Sequence, residues 1–217
     1  IAFMSKAAVA ALVALVLAAY ARSLTGDLVR DDIPAISKND DVKPETGWLQ
    51  AFENDFWGTP IAHNHSHKSY RPLVVLTFRL NYAVHGEWAP GYHAVNLCVH
   101  VASCLLLLGL LRSFHVSSRS ATWGALLFAV HPANSEAVIS IVGRADVLGG
   151  LGFLLAIWFW RQSVRGLVPL PRQPFSSAEL DSGGSRRDSS ETSHGSAGWS
   201  SWGSWGWLVA SWAVLAL

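Results

Sequence analysis

HAVNLCVHVASCLLLLGLL, residues 93–111, contains no Asp, Glu, Lys or Arg. A helix needs roughly 17–25 mostly apolar residues to cross the hydrocarbon core of a bilayer, so this stretch can span a membrane. The chain carries more of the same. Residues 7–21 are almost wholly Ala, Val and Leu, residues 121–141 form an apolar block broken at His131-Pro132, residues 147–160 another, and residues 199–217 begin a further one. With 51% hydrophobic and 14% charged residues in a chain of 217, the composition fits a membrane protein better than one water-soluble domain. Lipid offers the backbone no hydrogen-bond partners, so the expected fold is an all-α polytopic bundle. For residues 7–21 a cleaved signal peptide is the rival reading, because its core is also short and apolar.

The segments between the blocks set the topology. Residues 22–92 are mixed and polar and hold most of the acids, which predicts a sizeable extramembrane loop between a first span at 1–21 and three spans within 93–160. Arg112 and Arg119 flank the second-to-third turn, and Arg161, Arg165, Arg172, Arg186 and Arg187 follow the fourth block. Basic residues in short connections mark the cytosolic side. Alternation then puts the long loop and the polar turn near 131–146 on the opposite, lumenal face. Residues 161–198 read as a disordered cytosolic linker, Ser- and Gly-rich in their later part, and Trp199, Trp202, Trp205 and Trp207 as an interfacial belt opening a fifth span. The net charge of +1, with scattered cations, gives nucleic acid no footprint. Cys98 and Cys104 lie six residues apart, about 9 Å along a helix axis, too far for a disulfide. The ends at Ile1 and Leu217, the latter within an apolar run, suggest a piece of a longer protein.

The expected lumenal face gathers the residues that can do chemistry. Asp31-Asp32 follows the first block by about ten residues, where carboxylates can meet a lipid-linked headgroup. A sugar transferase needs a base for the acceptor hydroxyl, and a second acid can hold a divalent metal or orient the first. A solvated acidic turn ahead of Pro34 is the alternative, and the similar pair Asp40-Asp41 reads as solvated surface. His131, Pro132, Glu136, Arg144 and Asp146 cluster beside the third and fourth blocks, where ionisable groups suggest function. Arg144 has donors that match phosphate oxygens; an ion pair with Asp146 or Glu136 is the competing role. From Pro72 onward, Leu73, Leu76, Leu80 and Val84 recur at helical spacing, which predicts an amphipathic helix on the membrane. That helix would present Arg71 to a lipid phosphate or to ordinary headgroups. His63, His65 and His67 alternate as a weak metal pattern or a polar loop, Asn64-His65-Ser66 is an N-glycosylation sequon, and His93 and His100 share one face of the second span, where either can hydrogen-bond inside the bundle.

A set of motifs adds a family. They are Asp31-Asp32, Asn54-Asp55-Phe56-Trp57-Gly58-Thr59-Pro60, Ser69-Tyr70-Arg71-Pro72-Leu73, Leu76-Thr77-Phe78-Arg79-Leu80-Asn81, Gly91-Tyr92-His93 with Val95-Asn96, Phe128-Ala129-Val130-His131-Pro132, Glu136-Ala137-Val138, and Val142-Gly143-Arg144-Ala145-Asp146. In order and spacing this set, covering residues 31–160, resembles the transmembrane and tetratricopeptide-repeat containing protein O-mannosyltransferases. The resemblance implies a GT-C type helical bundle whose active site lies on the lumenal side of the endoplasmic reticulum membrane, beneath a first loop bearing interfacial helices. It implies dolichyl phosphate mannose as donor, and Ser or Thr hydroxyls of secretory proteins, cadherins among them, as acceptors. By the same resemblance Asp31 is the general base and Asp32 its neighbour in the acidic pair, with Arg144 and Asp146 lining the site; the residues themselves add Arg71, His131 and Glu136 as site-lining or donor-phosphate candidates, and metal dependence stays open. The tetratricopeptide repeats are lacking here, so the piece alone is expected to be inactive. Two other classes compete. A transporter predicts ionisable groups near the membrane midplane, and a noncatalytic scaffold predicts that substituting Asp31 is silent.

Overall fold

The computed structural model describes residues 5–164. The first helix, α1 (Lys6–Tyr20), is capped by Ser5, whose Oγ accepts from the Ala8 amide at 3.1 Å, and a 3-10 turn, Ala21–Thr25, prolongs it. The loop that follows contains only short helical turns before α2 (Pro72–His85). Pro72 at the first helical position suits a fixed φ and a missing amide, and Gly86, at φ 63°, ends the helix. Then come α3 (Ala89–Ser113), α4 (Ser118–Val130), α5 (Ser135–Ile139) and α6 (Arg144–Val164). No strand occurs among the described residues. Three stretches, Lys6–Thr25, Ala89–Ser113 and Arg144–Val164, are long and apolar enough to cross a membrane, and the described chain is an all-α membrane protein.

The break expected at His131-Pro132 is present: α4 ends at Val130, because Pro132 holds His131 extended at φ −62°, ψ 130° and breaks the ladder. Other bounds differ from the expected blocks. At 13 residues α4 reaches about 20 Å, less than a hydrocarbon core. The block at 147–160 starts earlier, at Arg144, and continues through Val164 into the expected linker. The rest of that linker, with Arg165, Arg172, Arg186 and Arg187, and the fifth block with its tryptophans lie outside the described residues, as do residues 1–4.

Packing fixes the directions. Arg144, at the start of α6, bonds to Tyr92 and Asn96 near the start of α3, while Arg161, near the end of α6, donates to the Ser113 carbonyl that closes α3. The two helices therefore run parallel. Tyr20 at the end of α1 packs edge-on against His100 of α3, with ring centroids 5.5 Å apart. One apolar core lies among α1, α3, α4 and α6, around Leu12, Val16, Leu97, Leu108 and Ala125. A second lies under the loop, around Ile36, Val42, Phe56, Val75, Phe78 and Ile141. The loop is thus a folded cap with its own interior. On α2, Val74, Val75, Phe78 and Asn81 face that interior, whereas Leu73, Leu80 and Val84 stand exposed.

Candidate active site

Where the cap meets the bundle there is a cavity of about 490 Å³. Asp31 and Arg71 line it from the loop, Glu136 from α5, Asp146 from the first turn of α6, and Phe56, Trp57 and His100 from the cap and α3. Four of the seven residues picked out from sequence therefore share one space. The carboxylates of Asp31, Glu136 and Asp146 form no hydrogen bond or ion pair among the described residues, and the Arg71 guanidinium lies 5.4 Å from the Phe56 ring centroid. Three unpaired acids thus face one cation.

The adjacent acids Asp31 and Asp32 have divided roles. Asp31 is exposed on the lining, while Asp32 is 2% exposed and points into the protein. Its Oδ1 accepts from the Val142 amide at 3.1 Å and its Oδ2 from the Val29 amide at 3.2 Å. The first bond ties the loop to the turn that opens α6; the second braces the turn at Arg30, which holds φ 47°, a conformation costly for a residue with a Cβ. Asp32 therefore positions Asp31 and stays off the cavity lining. Gly143 completes the wall: a Cβ there would lie 2.5 Å from the Ala137 carbonyl oxygen, so only glycine lets α5 pack this close to α6.

Arg144 meets neither of its expected partners. It is fully buried and absent from the cavity lining. Its Nε donates to Asn96 Oδ1 at 2.8 Å, Nη1 to Asn81 Oδ1 at 2.6 Å and Nη2 to the Tyr92 carbonyl at 2.8 Å, and the guanidinium lies 4.7 Å from the Phe78 ring centroid. All of these acceptors are neutral, so the ion pair with Asp146 or Glu136 is not formed. Asn96 in turn donates to the Ser140 carbonyl at 2.8 Å. The guanidinium thereby clamps α2, α3 and α6 together behind the cavity wall. His131 also lies off the lining; it is exposed, and its Nδ1 accepts from the Ala133 amide at 3.2 Å, capping the turn after α4.

The cap holds two further buried carboxylates. Asp40 is exposed and paired with Lys43, but Asp41, expected to be solvated, is 2% exposed, and both of its oxygens accept from Asn54 Nδ2. Burial pushes the Asp41 carboxyl above its ordinary range, the Asn54 bond offsetting only part of this. Asp55 is 1% exposed and accepts from Ser66 Oγ at 2.6 Å and from the amides of Trp57, Thr59 and His67. Burial opposes ionisation there too, but these four bonds outweigh it and hold the carboxyl below its ordinary range. His63 and His65 stack with centroids 5.2 Å apart, and no three His, Cys, Asp or Glu side chains gather as a metal site among the described residues. His100 bonds to the Ala129 carbonyl at 3.0 Å, and His93 is buried near the start of α3. Cys98 and Cys104 are both free, the first exposed and the second buried.

Comparison with known proteins finds relatives at high identity. The chain is 45% identical over 152 residues to the mouse protein O-mannosyl-transferase TMTC3, an alignment covering 70% of this chain and 16% of that protein. It is 47% identical over 148 residues to human TMTC2, covering 66% and 17%, and 44% identical over 165 residues to Drosophila melanogaster Tmtc3, covering 67% and 18%. The chain belongs to the TMTC family. It spans under a fifth of the length of these TMTC relatives. No family model and no solved structure matches it.

Within this TMTC chain the motif residues serve several structures. Trp57 and Phe56 from the Asn54–Pro60 motif reach the cavity, while Asn81, Tyr92 and Asn96 serve the Arg144 clamp. Sequence reasoning missed both the clamp and the Asp55 network as structural groups. One signal pointed to the clamp: Asn96 is an amide within an otherwise apolar helix, and such a group needs a buried partner.

Proposed function

We propose that this TMTC chain forms the membrane-embedded catalytic part of an enzyme of the endoplasmic reticulum that moves mannose from dolichyl phosphate mannose to Ser or Thr hydroxyls of secretory proteins such as cadherins. The observation that carries the reading is that Asp31 and Arg71 line one cavity together with Glu136 of α5 and Asp146 in the first turn of α6. Asp31 takes the proton of the acceptor hydroxyl as its oxygen bonds to the anomeric carbon; the bond from that carbon to the phosphate oxygen breaks, and dolichyl phosphate leaves. Arg71 offers the phosphate charge-assisted bonds as negative charge builds on it. Glu136 and Asp146 accept hydrogen bonds from the acceptor side. Arg112 and Arg161 sit at the far ends of α3 and α6, which supports a lumenal cavity by the distribution of basic residues.

The test is mannose transfer by reconstituted full-length protein, wild type against Asp31→Asn. Loss of the base lowers the rate about 100- to 10,000-fold. Equal rates would remove Asp31 from the mechanism, and no transfer by correctly folded wild type would defeat the assignment.

A further inference from the structure

Asn64-His65-Ser66 is the only Asn-x-Ser/Thr sequence in the chain, and the cavity chemistry makes no use of it. Asn64 and His65 are exposed on a turn, and the Asn64 amide has no hydrogen bond among the described residues. Ser66 is different. It is 8% exposed; its hydroxyl donates to Asp55 Oδ2 at 2.6 Å and accepts from the Lys68 amide at 3.1 Å. The Lys68 ammonium further staples the turn by donating to the carbonyls of Ile61 and His63. In the folded cap, therefore, the asparagine is accessible and the hydroxyl that completes the sequon is not.

We propose that Asn64 is an N-glycan acceptor whose occupancy is set by a race between glycan transfer and closure of the Asp55–Ser66 clasp. The proposal rests on the lumenal placement of the cap. The co-reactant is an oligosaccharide carried on a lipid diphosphate, transferred by a membrane-bound oligosaccharide transferase. The Asn64 amide nitrogen bonds to the anomeric carbon, the bond from that carbon to the diphosphate breaks, the amide proton goes to a base of the transferase, and the lipid diphosphate leaves. The sequon is read with the hydroxyl two residues on, so Ser66 must be free when the segment engages the transferase. Once the cap closes, the hydroxyl is held by a charge-assisted bond within a network of four donors to one carboxylate, and transfer stops. A glycan already in place on an exposed, unbonded side chain leaves that network intact.

The experiment is translation of the full-length protein into microsomes at limiting transferase, with the glycosylated fraction read as a mobility shift removed by an N-glycosidase. Wild type is expected to carry the Asn64 glycan, Ser66→Thr to keep it, and Asn64→Gln and Ser66→Ala to lose one glycan's step of the shift. Asp55→Asn, which loosens the clasp and leaves the sequon intact, is expected to raise the occupied fraction at least twofold. An unchanged fraction in Asp55→Asn would overturn the race. Asn64→Cys in full-length protein whose other cysteines, Cys98 and Cys104 among them, are replaced by alanine, labelled with an impermeant maleimide, separates the remaining failures. If wild type lacks the Asn64 glycan and the introduced thiol labels only from the lumen, the glycan is overturned and the lumenal cap stands; labelling only from the cytosol overturns both.

Discussion

Replacing Asp31 and Asp32 in turn by asparagine separates chemistry from architecture. In Asp32→Asn one carboxylate oxygen becomes an NH2 group facing a backbone amide. Either the Val142 or the Val29 bond, at 3.1 and 3.2 Å, is therefore lost, and the other weakens from charged to neutral. A bond to a charged group contributes about 1.5–3 kcal/mol, and an orphaned buried donor costs about 1–3 kcal/mol, so with the overlap counted once the cost is about 2–4 kcal/mol. For a unit of about 150–250 residues each kcal/mol lowers the unfolding midpoint by about 2–4 °C, so the transition of this part of the full-length protein is expected to fall by about 4 °C or more. Asp31 is exposed and unpaired, so Asp31→Asn should change stability by less than about 0.5 kcal/mol while abolishing transfer. The assay pairs thermal unfolding in detergent with mannose transfer on the same preparations. An Asp31→Asn protein that melts as early as Asp32→Asn, or an Asp32→Asn protein that melts with wild type, would refute the division of roles.

Arg144→Lys should cost about 1.5–3 kcal/mol, because a compact ammonium cannot reach Asn96, Asn81 and the Tyr92 carbonyl as the guanidinium fork does; a wild-type unfolding midpoint would show that the clamp contributes nothing. Gly143→Ala forces a Cβ to within 2.5 Å of the Ala137 carbonyl oxygen, so α5 must shift at a cost of about 1–3 kcal/mol. Transfer and midpoint should fall together, and unchanged transfer would mean that Glu136 needs no fixed position. Asp55 sets an acid limit: with its carboxyl held below the ordinary range, its contribution is present above the unfolded value of about 3.9 and is lost as pH falls through the folded value. Asp55→Asn should flatten the fall in midpoint below about pH 4, and an equally steep fall would assign that limit to other carboxylates.

Length and apolarity locate the three long helices because both are summed along the chain. The same count cannot see that α4 stops short, since hydropathy continues past Val130 while Pro132 turns the backbone away. The cap is the least legible part. Asn39, Asp41, Asn54 and Asp55 look like solvated loop residues, yet each is under 5% exposed, because their partners arrive from elsewhere: Asn54 for Asp41, Ser66 for Asp55. Polarity alone cannot tell a wet carboxylate from a buried, bonded one. Arg144 hides its role for the same reason. Its acceptors Asn81 and Asn96 come from two other helices, and on a helical wheel each reads as a polar residue without an assignment.

The site residues legible in the sequence share a trait that explains why. Asp31, Arg71, Glu136 and Asp146 sit at turns or helix ends next to apolar blocks, and none of them is in an ion pair among the described residues. A group left unpaired beside a membrane is costly unless solvent or a ligand meets it, so its persistence points to a cavity. The lining is also unequal, with three carboxylates against one guanidinium. On the function proposed above, a phosphate-bearing donor would be repelled by most of that wall and would seat on the Arg71 side, which would leave the acids to the hydroxyl that gives up a proton. Orientation of the two substrates then follows from the charge pattern alone. Moving the cation across the cavity, in an Arg71→Gln, Glu136→Arg double variant, should abolish transfer even though the net charge of the lining becomes more favourable to phosphate. Transfer that survived the move would show that the net charge of the cavity, and not the place of its cation, seats the donor.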